Sequence, residues 1–180
     1  GQSVYPIDFD TWYASYHDTT TSKSKVFRTV YNYLDLAARA QKINAFKPPA
    51  TLMIHYNGGD RNPNGKNIPT QANYCVTFIP GSFAHGELTT QPSRYEFIRL
   101  LVTDSVARSE KFSTIIAQEI KKELNVGLLD TWFYQPTSTL HRGPGVYCRN
   151  LVLARTVHSP LCYGETLLQD NPEEAQRLAQ

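Results

Sequence analysis

The run Ala50-Thr51-Leu52-Met53-Ile54-His55 sits directly after Pro48-Pro49 and is closed by Asn57-Gly58-Gly59-Asp60, and it limits what this chain can become more than any other feature. A continuous apolar run of this length between a double proline and a turn cluster reads as a strand. Without polar alternation, such a strand is expected to be buried on both faces. Ahead of it, Phe27, Val30, Tyr31, Leu34, Ala37, Ala38 and Ile43 recur at helical spacing from Val26 onward, until the prolines stop the pattern. A helix with one apolar face leading into an apolar strand points to a layered α/β domain.

The rest of the chain repeats the theme. Val4 to Ile7 reads as a short strand opening into a loop of Thr, Ser and Tyr that lasts to about Ser24. Asn57 to Gln71 reads as loop, Tyr74 to Ile79 as strand, and Pro80 to Ser93 as loop again. Phe112, Ile115, Ile116, Ile120 and Leu124 share one face of a helix, with Ser109 placed to cap it and Asn125-Val126-Gly127 to stop it. Leu128 to Asn150 looks irregular. Leu151 to Ala154 and Leu161 to Tyr163 read as two short strands, and Asn171-Pro172-Glu173-Glu174 opens a last helix. There are no repeats and no linker. The expectation is one α/β domain over 1–180, with a mostly parallel or mixed sheet flanked by helices and a site at the carboxyl ends of its strands.

Composition supports a folded core and narrows the partners. With 180 residues, 41% of them hydrophobic, the chain is long enough to bury roughly two-thirds of its unfolded surface without disulfide help. Eighteen Lys plus Arg against sixteen Asp plus Glu leaves a net charge of +2, too balanced to predict a nucleic-acid partner. Cys75, Cys148 and Cys162 are widely spaced in apolar surroundings with no CxxC pair, so buried free thiols are expected, one disulfide plus a spare thiol being the alternative. No apolar run reaches the roughly 18 residues of a membrane span. Gly1-Gln2-Ser3 carries no signal-peptide pattern, so the chain reads as soluble, any leader having been removed.

Two residues stand at the ends of apolar strand runs: His55 after Leu52-Met53-Ile54, and Glu165 after Leu161-Cys162-Tyr163-Gly164. An imidazole there offers a neutral nitrogen to a metal, and a carboxylate there serves as general base toward a metal-bound water. The plainer alternative makes His55 a hydrogen-bonded structural residue. Asn57, Arg61 and Lys66 follow in the loop, within reach of a peptide carboxylate or sugar hydroxyls, and Asn57 is retained as a weak substrate contact; a solvated loop is the plainer reading. His17, His85 and Glu87 are the residues available to complete a site, while His141 and His158 lack ligand spacing to any partner. Trp12, Tyr13, Tyr16 and Trp132 suit carbohydrate stacking, although core packing explains such residues more simply.

Four segments together carry a resemblance. Leu151-Val-Leu-Ala-Arg155, Ser159-Pro160-Leu-Cys-Tyr-Gly-Glu165-Thr166 and Asn171-Pro172-Glu173-Glu174 with Leu178 follow one another as in the closing segment of the zinc-dependent N-acetylmuramoyl-L-alanine amidases of type 3. Upstream, Arg39-Ala40, Asn44 and Leu52-Met53-Ile54-His55-Tyr56-Asn57 resemble that family's "R-x-x-x-A-N" helix and "S-I-H-A-N" strand end. Ser109 with Ile116-Ala117 and Ile120 resembles the helix between the two. The resemblance implies a peptidoglycan hydrolase of the periplasm or cell exterior, with Zn2+ as cofactor, His55 on a zinc ligand and Glu165 on the catalytic glutamate. It covers roughly the last three-quarters of a family domain. The family's "G-H-G-G" loop and its second, glutamate ligand have no counterpart, so the chain is expected to lack the first strand–helix unit, to have lost the metal, or to complete the site with other residues. A non-catalytic module binding cell-wall glycan or a partner protein is the competing reading, and a zinc peptidase acting on another amide is a third.

Overall fold

The computed structural model describes residues 25–27, 34–58, 68–130 and 139–180. In chain order the elements are α1 (Leu36–Phe46), β1 (Thr51–Asn57), β2 (Tyr74–Ile79), α2 (Gln91–Val102), α3 (Ser105–Leu124), β3 (Gly127–Leu128), β4 (Thr139–Gly143), β5 (Val146–Arg149), α4 (Val152–Thr156), β6 (Leu161–Leu168) and α5 (Pro172–Leu178). The strand expected at Val4 to Ile7 lies outside the described residues, as do Trp12, Tyr13, Tyr16, His17, Arg61, Lys66 and Trp132.

The strands form one sheet in the order β1-β6-β2-β5-β4, with β3 also pairing with β2. β1–β6, β2–β5 and β2–β3 run parallel, whereas β2–β6 and β4–β5 run antiparallel. This is the expected α/β architecture in its mixed form. The last strand in sequence, β6, lies between the first two, and every residue of it is buried except the half-buried Tyr163.

β1 corrects the first expectation. Among the described residues it stands at the sheet edge, and Leu52 is 44% and Ile54 65% exposed, so its apolar run is not buried on both faces. The cause is the placement of α3, which packs chiefly over β6 and β2. That helix differs from its expected form as well. It starts at Ser105, and its buried line is Ser105, Ser109, Ser113 and Ala117, while Ile115 is exposed. Small side chains at every fourth position let the helix backbone lie close to the sheet. The Ser109 hydroxyl, expected to cap the helix, instead donates to Ser105 O at 2.7 Å and accepts from Leu161 N at 2.9 Å, tying the helix to the first residue of β6. Asn125 ends α3 in the left-handed region, as expected.

The segment Leu151 to Ala154 is not a strand: Leu151 is the extended cap of a short helix that begins at Val152. A four-residue apolar run has no readable period, and packing decides it: Leu153 and Ala154 of α4 bury against Leu36 and Ala40 of α1, with Val157 and Leu161. Asn44 closes this unit, donating to Thr156 O at 2.9 Å and accepting from His158 N at 2.8 Å. In the region read as irregular, β4 and β5 form a hairpin whose turn places Gly145 at φ 73°, and its carbonyl accepts from both Thr77 N (2.7 Å) and Thr77 Oγ1 (2.9 Å). α5 opens as expected, with Pro172 in the first turn and the Asn171 side chain accepting from Glu173 N and Glu174 N. The three thiols are free and buried. Burial pushes Cys75 up to about 12 and Cys148 and Cys162 up to about 11.

Candidate functional site

β1 and β6 are neighbours, and their register sets His55 opposite Glu165, which has Val76 of β2 on its other side. Since side chains alternate along a strand, Met53, His55, Tyr163, Glu165, Val76 and Phe78 share one face of the sheet. Glu165 lies inside β6 and not beyond its end, because pairing and burial continue through Leu168.

His55 Nδ1 is 3.0 Å from Glu165 Oε2. The His55 side chain is 55% exposed and that of Glu165 only 11%, so the carboxylate stands behind the ring. A carboxylate at this distance accepts from Nδ1–H, which sets the tautomer and leaves Nε2 as the acceptor nitrogen. Two neighbours hold the residue, one at its ring and one at its main chain. The Tyr163 ring lies 5.5 Å from it at a 37° tilt. The Thr166 hydroxyl donates to His55 O at 3.2 Å, next to the irregularity where the register slips between His55 and Asn57. Such slips re-aim side chains beside sites. Asn57 itself contributes its carbonyl to the sheet, accepting from Gln169 N at 3.0 Å.

The other candidates are placed elsewhere. His141 is on β4, at the other edge of the sheet among the described residues, its Nε2 3.3 Å from Asp130 Oδ1 but without hydrogen-bond geometry. His158 follows α4, with Nε2 3.8 Å from Glu96 Oε1. Glu87 closes the short 3-10 turn His85–Leu88, its Oε2 accepting from Ala84 N at 2.6 Å, and His85 is placed only as the first residue of that turn.

A catalytic zinc takes three protein ligands. The described residues offer one imidazole whose second nitrogen is held by a carboxylate, the usual dress of a single ligand. Among the described residues no group of three or more His, Cys, Asp or Glu comes together to hold a metal. By themselves, then, they do not fit a complete zinc site.

Beside His55 a cleft of about 620 Å³ opens along the sheet face, bounded by Arg39 of α1, Met53, Tyr163, and Asn150 with the residues that follow it into α4. Sequence reasoning missed two of these residues. Tyr163 could have been found by stepping back two positions from Glu165 along the strand; Asn150 gives no signal, since it stands in a connection between β5 and α4.

No protein-family model matches the chain, and no curated protein matches it significantly in sequence. Among the solved structures similar to it are the following two. One is the apo form of the N-acetylmuramyl-L-alanine amidase Ami1 from Mycobacterium abscessus, at 13% identity and a TM-score of 0.44 over 81% of this chain and 52% of that one. The other is Cwp6 from Clostridium difficile, at 15% identity and a TM-score of 0.39 over 81% of this chain and 17% of that one. The chain thus spans about half the length of the first (52%) and a small part (17%) of the second. At these identities and TM-scores the likeness is one of partial architecture and does not reach the chemistry.

Proposed function

We propose that the chain is a peptidoglycan hydrolase domain that cleaves the amide between N-acetylmuramic acid and L-alanine, with His55 and Glu165 as its proton-handling pair. The observation that carries this reading is the 3.0 Å contact between them. These are the two residues the amidase resemblance marks, and strands 110 positions apart in sequence bring them together. The substrate comes from the resemblance. The setting follows from the substrate: the cell envelope, in the periplasm or outside the cell. No helix among the described residues is long and apolar enough to cross a membrane.

In the metal-free form of the reaction the exposed ring meets the water. His55 Nε2 takes a proton as the water oxygen attacks the amide carbonyl, and Glu165 stabilises the imidazolium that results. The imidazolium then delivers that proton to the departing alanine nitrogen, so that one amide and one water become a carboxylic acid and an amine. Zinc belongs to the proposal as the ion His55 would help to hold, but the described residues do not fit its full ligand set, so no step is drawn through it. Nε2 cannot be proton acceptor and metal ligand at once. Metal content therefore separates the two forms: stoichiometric zinc lost together with activity on chelation makes His55 a ligand, and activity indifferent to chelation makes it the base.

The test is release of new alanine amino termini from purified peptidoglycan. Glu165→Gln and His55→Ala should each lower turnover by about 10²- to 10⁴-fold while leaving the melting transition in place. A Glu165→Ala protein as fast as wild type would overturn the reading. A wild-type chain that binds sacculi without cleaving them makes the domain a non-catalytic cell-wall module instead, a reading favoured by the incomplete ligand set among the described residues.

A further inference from the structure

A second cleft, of about 330 Å³, opens where β1 and β6 begin, at the starting end of the parallel pair and away from His55 and Glu165. Lys47, Arg108 and His158 line it together with Asn44, Ser159 and three prolines, and no carboxylate of the described residues is among its lining. Thr51, the first residue of β1, is roughly 13 Å of strand short of His55. The two clefts are separate places.

Three stretches of chain, far apart in sequence, bring the cations together. Lys47 follows α1 in the left-handed region, at φ 51°. Arg108 is on the opening turn of α3, and His158 lies between α4 and β6. Asn44 fixes the main chain at the last of these, accepting from His158 N at 2.8 Å while it donates to Thr156 O at 2.9 Å.

The three charges have little to engage them. The Lys47 side chain makes no hydrogen bond or ion pair among the described residues. The Arg108 side chain meets only Asp104, Nη1 to Oδ1 at 3.9 Å, and that of His158 meets only Glu96, Nε2 to Oε1 at 3.8 Å. Both distances are too long for hydrogen bonds, and Glu96 gives its close contact, 2.7 Å, to Arg99. Exposed pairs this loose contribute close to nothing. Lys47 and His158 also follow the carbonyl ends of α1 and α4, which attract cations. Main-chain donors already serve those ends, Lys47 N on Ile43 O at 3.1 Å and Val157 N on Leu153 O at 3.0 Å, so neither side chain is taken up by them. About half exposed or more, all three cationic groups are open to a ligand. A carboxylate would use one or two of them. A tetrahedral dianion, with acceptors pointing in several directions, uses all three.

We propose that this cleft is a phosphate-binding site, with the phosphate group held between Lys47, Arg108 and His158. The group reaches the protein on a soluble phosphate ester or as a lipid headgroup, and the chemistry at the cleft is the same. The site goes beyond the hydrolase reading and does not depend on it.

The experiment is calorimetric titration of the full chain with inorganic phosphate. One phosphate should bind per chain, with a Kd on the order of 1 mM or tighter. Lys47→Asn removes a charge at a left-handed position that Asn tolerates, so it should weaken binding at least about threefold with the melting temperature unchanged. Arg108→Glu should weaken it at least about tenfold. Lys121→Glu makes the same change of net charge on the last turn of the same helix, roughly 20 Å away and beyond the screening length, and should leave binding within about twofold of wild type. Absence of saturable binding overturns the site, as does equal weakening by Arg108→Glu and Lys121→Glu, since net charge would then explain the attraction. Co-sedimentation with phosphatidylcholine vesicles carrying phosphatidic acid, competed away by inorganic phosphate, supports the site and assigns the group to a lipid. Phosphate binding without co-sedimentation supports it and assigns the group to a soluble ester. None of these readouts involves turnover, so this site and the hydrolase reading fail separately.

Discussion

The two strands that bring the candidate pair together are built in opposite ways. β6 is central, flanked by β1 and β2 and buried along nearly all its length, whereas β1 is the edge strand among the described residues, with Leu52, Ile54, His55 and Tyr56 exposed. Glu165 is therefore carried by the part of the sheet least able to move, and His55 by the part most open to solvent. The pair joins a fixed carboxylate to an accessible ring, which is the division an acid–base unit needs: one partner must be held, the other must meet substrate.

Changes in the two strands should separate accordingly. The largest effect is expected at Leu161, fully buried where β6 begins. Leu161→Ala should cost about 2–5 kcal/mol in urea unfolding, and a cost below 1 would deny β6 its place as the anchored strand. Next comes alkaline pH. The folded-state values of Cys75, Cys148 and Cys162 are raised by burial, so the folded chain holds their protons where the unfolded chain has released them. Their stabilising contribution is complete below about pH 9, the ordinary thiol value, and is lost as pH climbs through about 11 to 12. Unfolding midpoints should fall over that window, and replacing Cys162 on β6 by Ala should flatten the fall. A smaller effect belongs to the cap after β6: Asn171→Ala should cost about 1 kcal/mol by exposing two amide donors. The smallest is expected on β1, where Ile54→Thr should stay within about 0.5 kcal/mol of wild type. A larger loss there would show that this face is covered.

Local chemistry made some of this legible in advance. Tyr74 to Ile79, the Asn171-Pro172 helix start and the Asn125 stop were all readable, because each is decided by residues within a few positions of itself. α2 was missed because its apolar residues Tyr95, Ile98, Leu101 and Val102 are exposed, with only Leu100 buried, so its pattern does not point at a core. The β4–β5 hairpin was missed for a similar reason, since Leu140, the one large aliphatic residue of β4, is 47% exposed. His55 and Glu165 were each visible as strand-run ends. Their adjacency was expected only from the rule that sites gather at neighbouring strand ends of an α/β sheet; the insertion of β6 beside β1 that produces it is encoded by no local pattern. Asn150 and the cleft share that fate, assembled as they are from α1, β1, β6 and the β5–α4 connection.

The hydroxyl of Ser109 holding Leu161 N has a consequence in time as well as in space. During synthesis β1 and β2 emerge before β6, and the sheet has an open slot between them until β6 is made. Contacts of such long sequence separation form late. The serine line of α3 precedes β6 in the chain and receives it in the folded sheet. Glu165 reaches His55 only when that slot is filled, so the pair cannot form before β6 has paired with β1, and a chain stopped ahead of β6 carries half of it.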